Sequence, residues 1–308
     1  MDYNHRSSSI PPSVPICSVV IPAYNAVQYA ADAVRSALGQ KSIKPEIIVV
    51  DDGSTDDTVA SLSEFDDILL IRQDNRGRSE ARMEGLRHAT APFVVFLDAD
   101  DKLEPEAVAA HIAAMDAEPE AAMVFGSNHL INSSGASLGI NLQNSFVTEC
   151  PATIAHSVTP APSQCMYRRT ALNAVGGYDP TLELCEDIDL NIKMARIGKI
   201  ICHGAVVAQY RLHSAQSTKR PSKICNAHLF VLKRHFGCNA MSPDTKTLTR
   251  CKRKWQRYYG QFIPSEILRH LARGHFRDAL SSIAVYFFIF PQSFIGSMVF
   301  IVRRVKRR

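Results

Sequence analysis

Short apolar runs without regular polar alternation are the sequence feature that most restricts how this chain can fold. They occupy residues 17–22, 46–50, 68–71 and 93–97, and segments with a helical spacing of apolar residues follow them. Strands of this kind are buried on both faces, as in a parallel sheet that helices cover from two sides. We therefore predict an α/β fold with a mixed, mainly parallel sheet flanked by helices.

Polar clusters follow three of these runs at the point where each predicted strand ends. They are PAYN at 22–25, DDGS at 51–54 and DADD at 98–101. Right-handed crossovers bring the C-terminal ends of parallel strands to one rim, where open α/β sheets bind ligands. The first turn lacks the G-x-G-x-x-G pattern of dinucleotide-binding folds, and the chain contains no P-loop pattern. The sequence thus predicts a ligand site of another kind at this rim.

The strongest metal-binding signal is the pair Asp98 and Asp100, separated only by Ala99, directly after a buried run. Carboxylates, together with substrate phosphates, are the ligands that Mg²⁺ and Mn²⁺ prefer. We predict Asp100 as a metal ligand. His213 follows another apolar run and is a second candidate for the metal or a diphosphate. The alternatives are a solvated turn that caps the next helix and an ordinary structural histidine.

Other polar residues are expected near the same rim. Tyr24 could stack on a base, and Asp52 could accept hydrogen bonds from a ribose or a base edge. Arg78 and Arg82 open the third predicted helix and could bind a diphosphate or position the Asp pair. Helix capping and surface ion pairs are the alternative interpretations of these residues.

A second acidic cluster lies at residues 186–189 (EDID), after GGYD at 176–179. Gly177 would let the backbone approach a sugar closely. The acids begin a predicted helix, whose dipole favours the ionised form of Asp187 and Glu186. A general base must be deprotonated at neutral pH, so we predict the base here. Plain N-terminal helix charge is the alternative.

The motifs VVIPAYN, IIVVDDGSTD, NRGRSEAR, FLDADD, GGYD and EDIDL occur in this order between residues 17 and 217. Together they resemble inverting family 2 glycosyltransferases of the GT-A fold. The resemblance implies that Asp52 and Asp98 bind the nucleoside, Asp100 the metal, and that Asp187 is the base. Met83 stands where the family usually has Asn. The expected nucleotide-sugar contacts are Pro22, Tyr24, Asn25, Asp52, Asn75, Arg78, Arg82, Asp98, Ala99 and Gly177.

The predicted function is therefore a metal-dependent (Mn²⁺ or Mg²⁺) inverting glycosyltransferase. It would move a hexosyl or N-acetylhexosaminyl group from a nucleotide diphosphate sugar, a UDP-sugar, to a glycan or lipid-linked acceptor, as in cell-surface polysaccharide synthesis. A module that binds nucleotide sugar or glycan without turnover is the alternative. Nucleic-acid binding ranks last, because it leaves the acidic residues of the rim unexplained.

Charge divides the sequence near residue 219. From Lys219 onward lie 19 of the 35 Lys and Arg residues but only three of the 30 acids. We predict a disordered N-terminus at 1–15, a nucleotide-sugar-binding half at 16–126 and an acceptor-binding, catalytic half at 127–218 with loops over 126–163. A basic helical C-terminal region follows at 219–308.

The C-terminal region has features of a membrane-surface segment. Residues 281–302 carry no charge, and RRVKRR follows at 303–308. We predict contact of residues 250–308 with an anionic membrane surface, through an interfacial helix and basic residues around Trp255. The alternative is a helical hairpin packed on the catalytic domain. The N-terminus lacks a secretory signal and the eight cysteines form no C-x-x-C pair, so we expect a cytoplasmic protein, peripheral on the inner face of the membrane.

Overall fold

The computed structural model describes residues 14–157, 160–213, 220–237 and 244–289 of the 308-residue chain. Most of the predicted disordered N-terminus, and the end of the uncharged segment with the basic tail, lie outside these ranges. Within them, ten strands form one sheet. The strands are β1 (Cys17–Ala23), β2 (Glu46–Asp51), β3 (Leu69–Arg72), β4 (Phe93–Phe96), β5 (Lys102–Leu103), β6 (Ala121–Asn132), β7 (Ser137–Asn141), β8 (Phe146–Thr148), β9 (Cys165–Arg168) and β10 (Lys199–Leu212).

The sheet runs in the order β3-β2-β1-β4-β9-β6-β10-β5, with β7 paired to β6 and β8 to β10. Strands β1 to β4 are parallel to their neighbours in this set, whereas β9 is antiparallel to both β4 and β6. β10 returns parallel to β6. The mixed sheet that the sequence predicted is confirmed, and its parallel part contains the runs at 17–22, 46–50, 68–71 and 93–97.

Helices cover both faces of the sheet. Successive residues of a strand point to opposite faces, so Val20 packs in one apolar cluster with α3, while Val19 and Ile21 pack in another with α1 and α4. Gly85 of α3 allows close contact with β1, because a Cβ there would lie 2.2 Å from a methyl carbon of Val20. The helices are α1 (Ala30–Leu38), α2 (Thr58–Leu62), α3 (Arg78–His88), α4 (Ala107–Ala117), α5 (Pro151–Ser157), α6 (Arg169–Ala174), α7 (Glu186–Met194), α8 (Pro221–Phe236), α9 (Thr245–Gly260), α10 (Ile263–Ala272) and α11 (Phe276–Ile289).

The expectation of loops over residues 126–163 is wrong for much of that segment. β6 continues to Asn132, β7 pairs back on it, β8 pairs with β10, and α5 follows. The pairing of β8 depends on β10, where Ile200 lies opposite Thr148 although 52 positions separate them, so local sequence carries little signal of it. The proposed division at 126/127 falls inside β6, and the two predicted halves therefore share one sheet.

Smaller differences concern helix starts. The helical spacing of residues after the first run predicts a helix from Ala26, but α1 begins at Ala30; Ser54 and Thr55 are candidate caps of the second helix, but α2 begins at Thr58 and neither caps it. Both residues instead bind Asn25: its backbone N–H donates to Ser54 Oγ (2.9 Å), and its Oδ1 accepts from Thr55 N (2.8 Å). The polar turns after β1 and β2 are thus joined to each other.

The basic C-terminal region is helical from α8 to α11 and packs on the rest of the chain. His235 of α8 lies 2.8 Å from Asp189 of α7, and Trp255 of α9 joins the apolar cluster of α3. Within the described ranges, no helix has the length and apolar character needed to cross a membrane.

Candidate active site

The DADD turn lies directly after β4, at the rim where β1 and β2 also end. Ser163, in the turn before β9, holds this turn at both ends: its Oγ accepts from Asp98 N (3.2 Å) and donates to Asp101 Oδ2 (2.8 Å). Ser163 reaches it because β9 pairs with β4. An antiparallel strand that the predicted parallel pattern did not include therefore shapes the turn.

Asp98, Asp100 and Asp101 place carboxylate oxygens within 4.8 Å of one another. Burial and the charge of Asp100 raise the pKa of Asp101 well above its usual range, and burial and the charge of Asp98 raise the pKa of Asp100. Crowded carboxylates of this kind, of which Asp98 and Asp100 are partly exposed, have the chemistry of a site for a hard divalent cation. We call these three residues with Glu186 and Asp187 the acidic rim.

The structure brings the two candidate metal ligands together. His213 Nε2 lies 2.8 Å from Asp100 Oδ2, although 113 positions separate them in the sequence. The end of β10 carries His213 to this position, and the ring of Tyr29 packs 5.3 Å from its imidazole. Both side chains could therefore contact one ion.

Arg211 is a supporting residue of the site that the sequence analysis did not identify. Its backbone N–H donates to Asp101 Oδ1 (2.9 Å), its Nε donates to the Asp100 carbonyl (2.8 Å), and its guanidinium lies 4.5 Å from the centre of the Tyr29 ring. It is almost completely buried. The sequence signal that could have identified Arg211 is a charged residue within a largely uncharged stretch that forms a strand.

Arg82 connects the two acidic clusters. It is 1% exposed, and it donates from Nη2 to Asp98 Oδ1 (2.5 Å) and from Nη1 to Glu186 Oε1 (3.0 Å). Tyr178 of the GGYD motif covers its guanidinium at 4.8 Å. Burial disfavours the charged form of the guanidinium. The electrostatic interactions with Asp98, Tyr178 and Glu186 outweigh this effect of burial and raise the pKa of Arg82 well above its usual value. The start of α7 is thereby held against the end of β4.

Asp187 is half-buried beside Glu186 and accepts a hydrogen bond from Ile188 N at 2.8 Å. Desolvation and the charge of Glu186 raise the pKa of Asp187 to about 7. These two effects oppose the helix dipole, which was expected to favour the ionised form of Asp187. A base with this pKa is divided between its two forms near neutrality.

Several residues that were predicted to contact the nucleotide sugar hold the loops around the rim in place. The Asp52 carboxylate accepts three hydrogen bonds from the loop after β3, from Gln73 Nε2, Arg76 N and Gly77 N at 2.7–2.9 Å. Asn25 joins two turns, as described above. A Cβ on Gly177 would lie 2.4 Å from the Met83 sulfur, so this glycine packs against α3 on that side.

The remaining predicted nucleotide-sugar contacts vary in exposure. Tyr24, Asn75 and Arg78 are exposed, Pro22 is half-buried and Ala99 is buried. Arg78 also lies 4.0 Å from Glu186 Oε1. The exposed members of this set have surface that a ligand could contact, whereas Ala99 offers chiefly its backbone.

A cleft of about 770 Å³ opens beside the acidic rim. Arg78, Arg82, Asp98, Glu186 and Asp187 line it from the sheet and α7. Its other lining residues include side chains of α9 and α10, which we call the C-terminal wall: Lys254, Trp255, Tyr258, Tyr259, Phe262 and Arg269.

Trp255 and Lys254 were predicted to face membrane headgroups, but both face the protein. Trp255 is 5% exposed and donates from Nε1 to the Ala155 carbonyl (2.7 Å), and the Lys254 ammonium donates to the His156 carbonyl. Helix α5, which supplies these carbonyls, was not predicted, but the packing of α9 on it agrees with the alternative of a helical region packed on the catalytic domain.

Comparison with known proteins agrees with this geometry. The profile described as Glycosyl transferase family 2 matches residues 18–176. A chondroitin synthase from Escherichia coli is 31% identical over 206 residues, which are 63% of this chain and 29% of that protein. A hyaluronan synthase from Pasteurella multocida is 30% identical over 207 residues, 63% of this chain and 21% of that protein. The matched segment thus spans less than a third of the length of these relatives.

Among solved structures, S. aureus TarS 1–349 in complex with UDP-GlcNAc superposes with a TM-score of 0.60 at 18% identity, covering 91% of this chain and 92% of that one. At this identity the likeness shows a shared fold. The match of the profile over half of the chain shows the family as well. This chain belongs to glycosyl transferase family 2.

Proposed function

We propose that this protein transfers a hexosyl or N-acetylhexosaminyl group from a UDP-sugar to a hydroxyl of a glycan or lipid-linked acceptor, with inversion. The observation that carries the proposal is the pair of contacts from Arg82, which hold Asp98 and Glu186 in one cleft with Asp187. Family membership supports glycosyl transfer, and the UDP-GlcNAc complex of the structural neighbour favours a UDP-sugar as donor.

The donor would lie along the ends of β1, β2 and β4. Asp98 and the exposed Tyr24 ring offer contacts for the nucleoside, and Arg78 offers its guanidinium to the diphosphate. Asp52 and Asn25 would act indirectly, since they hold the loops that carry Asn75 and Arg78.

Asp100 and His213 would hold Mn²⁺ or Mg²⁺. Three carboxylates within 4.8 Å of one another fit such an ion, because their mutual repulsion is relieved by a divalent charge. When bound, the ion would offset negative charge on the departing diphosphate. Arg211 and Ser163 keep the turn that presents Asp100 in place.

Asp187 would serve as the general base of a single displacement. As the acceptor oxygen bonds to the anomeric carbon, its proton passes to the Asp187 carboxylate. The bond from that carbon to the diphosphate oxygen breaks, and the nucleoside diphosphate leaves with the electron pair. The step needs Asp187 ionised, which its pKa of about 7 allows for about half of the molecules at neutral pH.

The test measures UDP release by the full chain with Mn²⁺ and a panel of UDP-sugars. In Asp187→Asn, we expect turnover to fall by about 10²–10⁴-fold with donor affinity retained, because only the proton acceptor is lost. Glu183→Gln, an exposed acid near the start of α7, is the matched control. Turnover above about a tenth of the wild-type value would remove Asp187 from the role of base. UDP binding without release in any condition would favour the binding module.

We also propose that the C-terminal region contacts an anionic membrane from the cytoplasmic side. Phe276, Leu280 and Phe287 are at least half exposed, and their spacing puts them on one face of α11. The tail RRVKRR follows in the sequence. Flotation with phosphatidylglycerol vesicles should be lost in Phe276→Ser/Leu280→Ser and kept in Ile197→Ser, an exposed apolar control. Equal flotation of all three proteins would refute this contact.

A further inference from the structure

The C-terminal wall lies outside residues 18–176, the segment that the family profile matches. It nevertheless belongs to the same packed body as the acidic rim. Trp255 is part of the apolar cluster that includes β4 and α7, and its ring lies 5.9 Å from Tyr259 and 4.5 Å from His228. The position of the wall beside the rim is therefore set by core packing.

Two aromatic side chains of the wall are left open in the cleft. Tyr258 is 49% exposed and Phe262 46% exposed, with ring centres 5.7 Å apart at a steep angle. Tyr258 also packs on the buried Trp255, with 5.5 Å between the ring centres, which gives the pair a rigid base. Open ring surfaces in a cleft that also holds polar groups suit a ligand with both apolar and polar faces, as a sugar ring has.

Among the described lining residues, the acids all lie on one side of the cleft, where Arg78 and Arg82 accompany them. The rim contributes Asp98, Glu186 and Asp187, of which two are paired with Arg82. Among the described lining residues, the wall contributes the cations Lys254 and Arg269 and no acid. Lys254 is half-buried and donates to the His156 carbonyl, which fixes its ammonium at the side of the cleft.

We infer that the C-terminal wall is the acceptor subsite and that the acceptor is an anionic glycan, whose sugar rings lie on Tyr258 and Phe262 and whose carboxylate or phosphodiester groups lie at Lys254 and Arg269. The inference rests on the proposed transferase function. A flexible glycan chain can enter a cleft of about 770 Å³ and bring a hydroxyl to Asp187, whereas a bilayer surface cannot. This argument favours a glycan over a membrane at the wall.

Binding to the full chain tests the inference with four probes: a hyaluronan tetrasaccharide with carboxylates, a glycerol-phosphate tetramer with phosphodiesters, neutral chitotetraose, and phosphatidylglycerol vesicles. We expect at least one anionic oligomer to bind about tenfold more tightly than chitotetraose, as one or two charge-assisted hydrogen bonds provide. Its affinity should fall as salt is raised. The better of the two anionic oligomers identifies the acidic group.

Arg269→Gln should remove about tenfold of that affinity. Arg269 is exposed, so the change should leave the fold intact. Arg257→Gln removes the same charge from an exposed position of α9 that does not line the cleft, and should bind like the wild type. Any of three results would overturn the inference. Chitotetraose could bind as tightly as both anionic oligomers, the two variants could have equal affinity for the anionic oligomer, or only the vesicles could bind.

UDP affinity in the presence of Mn²⁺ is measured on the same wild-type preparation. It distinguishes a failure of the acceptor inference from a failure of the proposed transferase function on which the inference rests. If UDP binds and UDP-sugar is turned over while the oligomers are not distinguished, only the acceptor inference fails. If UDP does not bind, the proposed transferase function itself fails.

Discussion

The acidic rim and the C-terminal wall line one cleft, yet they are built differently. At the rim, charged side chains are buried and held by several hydrogen bonds, with Arg82 and Asp101 each 1% exposed. On the wall, Tyr258, Phe262 and Arg269 are open to solvent, and Tyr258 packs on the buried Trp255. A reacting group needs an exact position, which buried networks provide, while an acceptor contact tolerates adjustment. Changes at the rim should thus cost stability and turnover, and changes on the wall should cost affinity.

The largest effect is expected at Arg82. In Arg82→Met, the buried carboxylate of Glu186 and the partly buried carboxylate of Asp98 lose their shared cation, which should lower the free energy of unfolding by about 3–5 kcal/mol. Urea unfolding followed by circular dichroism measures it. Arg257→Met, at an exposed site, should change it by less than about 0.5 kcal/mol. Similar urea concentrations at the unfolding midpoint for the two variants would mean that Arg82 does not hold the rim together.

Asp100→Ala should give the next largest effect. Loss of this carboxylate should weaken Mn²⁺-dependent UDP binding by at least about 10–100-fold, the range known for residues that only support a metal ligand. Calorimetry with Mn²⁺ or with EDTA measures it. Asp116→Ala, an exposed acid on α4, is the control. Unchanged affinity in Asp100→Ala would remove it from the set of metal ligands.

The pH dependence of turnover tests the charge crowding at the rim. Because the pKa of Asp187 is raised to about 7, mainly by desolvation and Glu186, the base form gains population as pH rises through this value. Turnover should therefore rise with pH and level off above it. In Glu186→Gln, the acid limb should move to lower pH, because a neighbouring negative charge is removed. A limb that stays in place, or moves to higher pH, would contradict the assignment.

The smallest effect is expected where α8 meets the GGYD motif. Arg234 Nη1 donates to Asp179 Oδ2 at 2.5 Å, but the arginine is largely exposed. Exposed ion pairs contribute about 0.2–1 kcal/mol, so Arg234→Ala should lower the free energy of unfolding by that amount. Turnover should match the wild type. A loss of several kcal/mol in urea unfolding would show that α8 is held mainly by this pair.

Sequence patterns located the acids of the rim because these residues lie at strand and helix ends. Asp98 and Asp100 follow a buried strand, and Asp187 begins a helix, so local patterns indicated the position of each one. The same patterns could not identify Arg211 or Ser163, whose contacts with the DADD turn arise from strands β10 and β9 far along the chain. The β6–β7 pairing was missed because its segment is rich in Ser, Asn and Gly.

The sequence by itself determined the α/β class, the rim where the parallel strands end, the acids placed there and the basic character of the C-terminal region. Those properties follow from periodicity and residue chemistry, which are local. Only the tertiary structure decided that Arg82 joins Asp98 to Glu186, that Asp187 has a raised pKa, and that α9 and α10 form a wall of the cleft. These depend on burial and on contacts between distant segments, which arise only when the sheet and its helices are assembled.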